Sequence, residues 1–553
     1  MPKPLRIVAA LVLAVAPSVV LGSTASAAAS CHAWSSTYAK AENAKPGGVG
    51  WRNAFAVTRS TAQFWLDASS AACGQQVGVH LAASGVTHFE LWRLGWYAGA
   101  RGRLIRSWNA RPTADLAAPA PPPSGQGDPS ADADKPPLNI ADLPAGATAP
   151  GPLASSTGGP SPVDPYPTYS SASAAAWPTS TSVRITPDMP PGVYLLSGTG
   201  PDGVATGAPL IVRDDLGPHV LTVMEPTLTW QAYNQWGTAD LYNWPDSNGT
   251  LDDVEQADVV TFDRPTENVW AHSQVLGQDR GLIQLVNRDG MDVNWVASQD
   301  LEKPSPTLAQ THAVVMTRHD EYWTSRMRAN VVALVNRGVN LVDFGGNNMY
   351  HAGRFLDSGS RWYQVRKLHN ALHKNDDAYG ISYRFVDGQV NNPQARLLGE
   401  NFNCISAWVP YVVSDPTFWA WSPQKLRKGR KFANIVGSES DGPLMGYPAG
   451  TVFGSLSPAY CKNIGVTRLA GTSYRLAPSH AGILDIGTMN WLCNLTTAQC
   501  GGYPLTSAAG LTFVTHATER ILNQAAMGPL GLRHPAAGGV KPSAPPTYSR
   551  AIR

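Results

Sequence analysis

Beyond Asp214 the sequence is punctuated by apolar runs of four to six residues: Val220 to Met224, Val259 to Phe262, Leu282 to Val286, Ala313 to Thr317, Val339 to Phe344 and Ile483 to Ile486. Runs of that length suit strands covered on both faces. Between two of them, Met327, Val331, Leu334 and Val335 recur at helical spacing, and Gly338 stands where a helix C-cap would. Short buried strands separated by helices predict an α/β domain, a mostly parallel sheet with glutamine-amidotransferase-like or flavodoxin-like layering. In such a sheet ligands collect beyond the carboxyl ends of the strands.

Before Asp214 the pattern differs. His88-Phe-Glu-Leu-Trp-Arg93 alternates apolar and polar residues with the period of a half-buried strand, and strand signals also mark Val77-Gly-Val79, Thr181 to Ile185, Gly192 to Leu196 and Ile211 to Arg213. These predict an antiparallel β-sandwich over residues 28–213. From Ala110 to Ala176 the composition turns to Pro, Ala, Ser and Gly, without periodicity, which predicts a disordered or poorly packed insert at 110–176. The α/β domain then covers 214–530, and a Pro-, Ala- and Gly-rich flexible tail covers 531–553.

Lys3 and Arg6 precede an apolar stretch from Ile7 to Gly22 and the small residues Ala25-Ser26-Ala27, the form of a secretory signal peptide over 1–27. No other segment is long and apolar enough to span a bilayer, so the expectation is a secreted protein free of the membrane after cleavage. Without Lys3 and Arg6 the basic count falls from 42 to 40, equal to the 40 acidic residues, and such a neutral chain has no field to collect nucleic acid. In an exported protein the 6 cysteines are disulfide candidates. Cys31 with Cys73, Cys404 with Cys461 and Cys493 with Cys500 is one pairing of the fifteen that six cysteines allow.

The densest polar cluster is Arg318-His-Asp-Glu-Tyr-Trp323, between the Ala313 strand and the Met327 helix. His319, Asp320 and Glu321 thus occupy a strand-to-helix turn of the kind that carries working groups, or else the cluster simply caps the helix. Thr227-Leu-Thr-Trp-Gln-Ala-Tyr-Asn-Gln-Trp-Gly237 and Leu241-Tyr-Asn-Trp244 follow another strand, either facing the same crevice or forming an aromatic core. Gly345-Gly-Asn-Asn348 follows a third. The sequence has no phosphate-binding glycine motif, no G-x-S-x-G elbow and no H-E-x-x-H pair.

In order along the chain, Phe89-Glu-Leu-Trp-Arg-Leu-Gly-Trp-Tyr-Ala-Gly99, Trp230-Gln-Ala-Tyr-Asn234, His319-Asp-Glu-Tyr-Trp323, Gly345-Gly-Asn-Asn348 and Gly487-Thr-Met-Asn-Trp491 resemble the motifs of the large-subunit-like proteins of N,N-dimethylformamidase. The resemblance spans residues 80–525 apart from the insert. It implies an amidohydrolase of linear amides with a mononuclear non-haem iron held by two tyrosines and a glutamate. Carried over by motif, the glutamate is Glu321, one tyrosine is Tyr233, and the other is Tyr194 in Gly192-Val-Tyr194, with Tyr242 as the competing choice. His319, Asn347, Lys367 and Glu439 resemble the residues around the metal. Three anionic oxygen donors favour ferric iron acting as a Lewis acid.

The resembled enzyme is intracellular, has a small partner subunit and carries a lectin-like domain near the position of the insert. A secreted relative is therefore expected to act on a small amide or on another extracellular substrate. The alternative is a secreted module without catalysis that binds a surface polysaccharide or other polymer through Trp92, Trp96 and Trp108, residues that equally suit a sandwich core.

Overall fold

The computed structural model describes residues 30–55, 60–113, 151–152, 169–237, 239–245, 251–252, 256–267, 279–365, 384–386, 392–444, 447–496 and 504–537. The signal segment, most of the Pro/Ala/Ser-rich insert, Lys367, Cys500 and the end of the tail lie outside these residues.

Two sheets of the first half are built from eight strands: β1 (Ala62–Leu66), β2 (Ser70–Ala72), β3 (Gln76–Ala83), β4 (Thr87–Leu94), β5 (Gly102–Ala110), β6 (Thr179–Arg184), β7 (Gly192–Thr199) and β8 (Ala205–Arg213). They form a three-stranded sheet ordered β1-β3-β6 and a five-stranded sheet ordered β2-β8-β7-β4-β5, antiparallel except where β2 joins β8. Phe64, Val79 and Leu81 of one sheet share a core with Phe89, Leu91, Leu196 and Leu210 of the other. Phe64 meets Phe89 edge-on at 5.1 Å between ring centroids. Gly198 is required there, because a Cβ at that position would stand 2.8 Å from the Phe64 ring. Trp92 and Trp108 are engaged by the fold. Trp92 is 6% exposed, while Trp108 stacks on Phe89 at 5.5 Å and donates its indole N–H to Thr181.

The second half is organised by a nine-stranded sheet. Its members are β9 (Leu221–Glu225), β10 (Val293–Ala297), β11 (Ala313–Met316), β12 (Asn340–Asp343), β13 (Asn401–Val412), β14 (Lys431–Gly442), β15 (Val452–Cys461), β16 (Val466–Leu476) and β17 (Gly482–Asp485), in the order β10-β9-β11-β12-β17-β16-β15-β13-β14. The five strands from β10 to β17 run parallel. The four that follow are antiparallel.

This corrects the expected α/β class with flavodoxin-like layering. Among the described residues strand outweighs helix by 36% to 21%, and antiparallel strands of ten to twelve residues outweigh parallel ones of four or five. The long strands escaped notice because β14, β15 and β16 carry no long continuous apolar run, and the run Ala407 to Val412 in β13 contains Pro410, which argues against a central strand. They are partly exposed, and register shifts interrupt their alternation between Phe402 and Cys404, Ser406 and Val409, and Phe453 and Ser455. Leu282 to Val286 lies in a helix, Arg280–Arg288, since apolar residues at 282, 283, 285 and 286 fit a helical face as well as a strand. Val259–Thr261 is a strand of a separate six-stranded sheet, which also contains Tyr322–Thr324, His351–Phe355 and Trp362–Gln364. That sheet takes in Tyr169–Ser170, so the Pro/Ala/Ser-rich stretch ends in packed chain, with Ala172 and Ala174 buried.

One hydrophobic core runs across the Asp214 boundary, joining Trp51, Trp92, Val193 and Ile211 to Leu221, Val223, Trp295 and Val342. Disulfides join Cys31 to Cys73 and Cys404 to Cys461, and Cys493 is also disulfide-bonded. Among the described residues no helix is long and apolar enough to cross a membrane.

Candidate active site at the strand ends

Three loops leave the carboxyl ends of β9, β11 and β12 and meet. After β9 a single short helix, Thr227–Ala232, ends at Tyr233. The chain then turns on Asp240, whose Oδ1 accepts the amides of Tyr242 at 2.7 Å and Asn243 at 2.8 Å. This brings Tyr242 against Tyr233, the rings stacked at 4.2 Å.

After β11 come His319, Asp320 and Glu321. Thr324 caps the following helix, Ser325–Asn336, by accepting the amide of Met327 at 3.1 Å. The carboxylates of the cluster are thereby released from the capping role. After β12, Asn348 ties this loop to its own: its Oδ1 accepts the Asp320 amide at 2.5 Å and its Nδ2 donates to the Thr317 carbonyl at 3.1 Å. The loops touch so closely at Gly345 that a Cβ there would stand 2.3 Å from the Arg318 carbonyl oxygen. Asn347 adopts a left-handed backbone, φ 59°, and its amide is held by Asp441 at 2.9 Å.

Glu321 is the centre. Its Oε2 accepts hydrogen bonds from the hydroxyls of Tyr233 at 2.7 Å and Tyr242 at 2.5 Å, and the two hydroxyls are 2.6 Å apart. His319 Nε2 lies 3.3 Å from the same carboxylate oxygen and 3.2 Å from the Tyr233 hydroxyl. On its other side, His319 Nδ1 is 3.2 Å from the Gly346 carbonyl and 3.7 Å from Glu439 Oε2, which accepts from Asn347 Nδ2 at 2.7 Å. His319, Glu321 and Asn347 are buried, whereas Tyr233, Tyr242 and Glu439 are half-buried and meet solvent.

Electrostatics separate these groups. Burial would raise the Glu321 carboxyl, yet the imidazoles of His351 and His319 hold it well below the usual carboxylate range. Burial and the neighbouring Glu321 charge push the phenols of Tyr233 and Tyr242 well above theirs. Burial disfavours a charged His319, but Glu439 and Glu321 override it and raise the imidazole to about 9. Glu439 is raised, chiefly by burial and by the charge of Glu321.

Two phenols and a carboxylate meeting at one point form a hard oxygen donor set of the kind that suits ferric iron. Among the described residues no group of three or more His, Cys, Asp or Glu side chains is arranged to hold a metal. A metal at this point would therefore rely on the tyrosine oxygens, and its binding would displace the two phenolic protons.

The model of the N,N-dimethylformamidase beta subunit-like family, C-terminal part, matches residues 147–503, more than half of the chain. The chain belongs to that family. Every residue of the cluster around Glu321 lies inside the matched span. No curated protein matches the chain. Among solved structures, a cycloisomaltooligosaccharide glucanotransferase of Paenibacillus sp. complexed with cycloisomaltoheptaose shares 9% identity, with a TM-score of 0.14 that carries no argument. The match covers 58% of this chain and only 37% of that one.

In this dimethylformamidase-like chain, five of the seven residues singled out from the sequence come together: Tyr233, His319, Glu321, Asn347 and Glu439. Tyr194 does not join them. It is buried in the sandwich beside Arg93 and donates its hydroxyl to the Pro190 carbonyl at 2.8 Å. The second tyrosine at Glu321 is Tyr242. Lys367 lies outside the described residues. His351 was not foreseen, although its Nε2 stands 3.0 Å from Glu321 Oε1. Its strand is short, and only the pairing of Tyr322 with His351 brings it to the site.

Proposed function

We propose that this dimethylformamidase-like chain is a secreted, iron-dependent hydrolase of a C–N amide bond. The observation that carries the reading is the convergence of Tyr233, Tyr242 and Glu321 oxygens within hydrogen-bonding distance of one another. These three residues would hold one ferric ion, which when bound supplies Lewis acidity toward an amide carbonyl. Glu439, half-buried with a raised pKa, is suited to take a proton from the attacking water. His319 is suited to deliver a proton to the nitrogen as the C–N bond breaks, so that water and amide become acid and amine. Asn347, whose side-chain amide has a second N–H beyond the one given to Glu439, supports negative charge developing on the carbonyl oxygen. The disulfides and the signal segment support export to an oxidising compartment.

The test is metal and colour. Protein produced with iron should hold about one iron per chain and absorb visible light through tyrosinate charge transfer, as this donor set requires. It should release amine from short N-alkylamides such as N,N-dimethylformamide. Glu321→Gln should lose the iron and the colour together. Protein that stays colourless and iron-free after ferric reconstitution overturns the reading.

A further inference from the structure

We propose that His351 is a positioning residue for Glu321, one that locks Oε1 so that Oε2 alone faces the two tyrosine hydroxyls. The inference rests on reading the cluster as a metal site. It starts from a division of labour on one carboxylate: Oε2 receives Tyr233, Tyr242 and His319, while Oε1 faces His351 Nε2 at 3.0 Å.

The terminal torsion of a glutamate is broad and roughly two-fold, so backbone placement alone does not fix which oxygen points where. The main chain of Glu321 is fixed, its carbonyl accepting the amides of Tyr350 at 3.0 Å and His351 at 2.8 Å. On the Oε1 side the carboxylate is held by the His351 side chain. That imidazole is itself held from two sides. It stacks on Tyr322 at 4.7 Å with an interplanar angle of 20°, and meets Tyr350 edge-on at 4.8 Å. Parallel pairing of Tyr322–Thr324 with His351–Phe355 sets Tyr322 opposite His351, so the stack is a product of strand register. His351 is buried, at 3% exposure, which keeps water from competing for Oε1. A group that orients a ligating carboxylate in this way contributes to metal affinity without touching metal or substrate.

Three variants test this. His351→Phe keeps the ring on Tyr322 and removes the N–H. His351→Met and His351→Gln have side chains of equal length, and of the two only the glutamine can donate to Oε1. Each is loaded with ferric iron beside the wild type, and iron retention against a competing chelator, the visible spectrum and the thermal transition are measured. The phenylalanine and methionine variants are expected to bind iron 10- to 100-fold more weakly, with a displaced charge-transfer band, and the glutamine variant to recover most of the affinity. Wild-type affinity and an unshifted band in the methionine variant overturn the proposal, as does a glutamine variant as weak as the methionine one. Should the phenylalanine variant not fold, the glutamine and methionine pair decides alone. A wild type that retains no iron overturns the metal reading itself, whereas equal binding by wild type and all variants overturns only the role of His351.

Discussion

Tyr242 and Tyr194 carry the same side chain into opposite circumstances. The Tyr242 hydroxyl is shared with a carboxylate and a second phenol, whereas the Tyr194 hydroxyl, raised well above its ordinary pKa by burial, serves one backbone carbonyl. Tyr242→Phe is therefore expected to weaken iron binding and partly bleach and shift the visible band, Tyr233 remaining, with little change in thermal stability. Tyr194→Phe should leave iron and colour intact but destabilise the fold by about 1–3 kcal/mol, because the buried Pro190 carbonyl loses its donor. Bleaching by Tyr194→Phe and not by Tyr242→Phe would reverse the assignment. Much of the candidate site was legible at this scale: Glu321, His319 and Asn347 stand in compact motifs directly after strands, and Tyr233 in one that ends a short helix. The choice between tyrosines was not, since it depends on Asp240 turning the chain back and on Arg93, Tyr97 and Glu42 claiming the surroundings of Tyr194. Neither interaction has a local signature.

Of the four apolar runs that became strands of the nine-stranded sheet, those of β9, β11 and β12 have their loops at the site, and that part of the architecture could be read because complete burial demands continuous apolar sequence. The antiparallel half could not be read the same way. Its strands have one partly solvated face and register shifts, so their apolar residues mostly recur without forming a run, and the run Ala407 to Val412 is interrupted by Pro410. Glu439 arrives at the site on such a strand. The disulfide from Cys404 in β13 to Cys461 in β15 closes a segment of 57 residues that contains the whole of β14. In the chain-entropy account, a loop of that length is worth up to about 4 kcal/mol of stability. A Cys404→Ala/Cys461→Ala protein should therefore melt several degrees lower by calorimetry, and its hydrolytic rate should fall as Glu439 loses its fixed place. An unchanged melting temperature in the double variant counts against the disulfide as a support of this half.

At the scale of the whole molecule the question is what holds the sandwich against the nine-stranded sheet, since one hydrophobic core spans the two halves beside the sandwich's own. Residues 30–43 supply part of the answer. The Trp34 amide donates to Asp214 at 2.7 Å, the Tyr38 hydroxyl to the Val293 carbonyl at 2.6 Å, and Asn43 Nδ2 to Asn287 at 2.9 Å. His219 sits at the join. Its Nε2 is 3.1 Å from Asp214, its Nδ1 is 2.5 Å from Asp292, and Tyr38 meets its ring edge-on at 5.8 Å. Burial would suppress its charge, but the carboxylates of Asp214 and Asp292 prevail and raise the imidazole from 6.5 to about 9. For a group whose pKa is higher in the folded than in the unfolded chain, the stabilisation is complete below the unfolded value and is lost as pH rises through the folded one. The window is therefore pH 6.5 to 9, and the loss is on the order of 3 kcal/mol across it. Asp214, held low by the same pairing against the opposing effect of burial, loses its share only in acid. Tyr38, raised to about 12 by burial, titrates above the window. Other groups contribute their own slopes, so the measurement is a difference: denaturation free energies of wild type and His219→Gln compared from pH 6 to 10. The wild type should lead by the full amount near pH 6 and by little near pH 10. A lead that does not change with pH would mean that His219 serves the join as a packed neutral ring, without its charge.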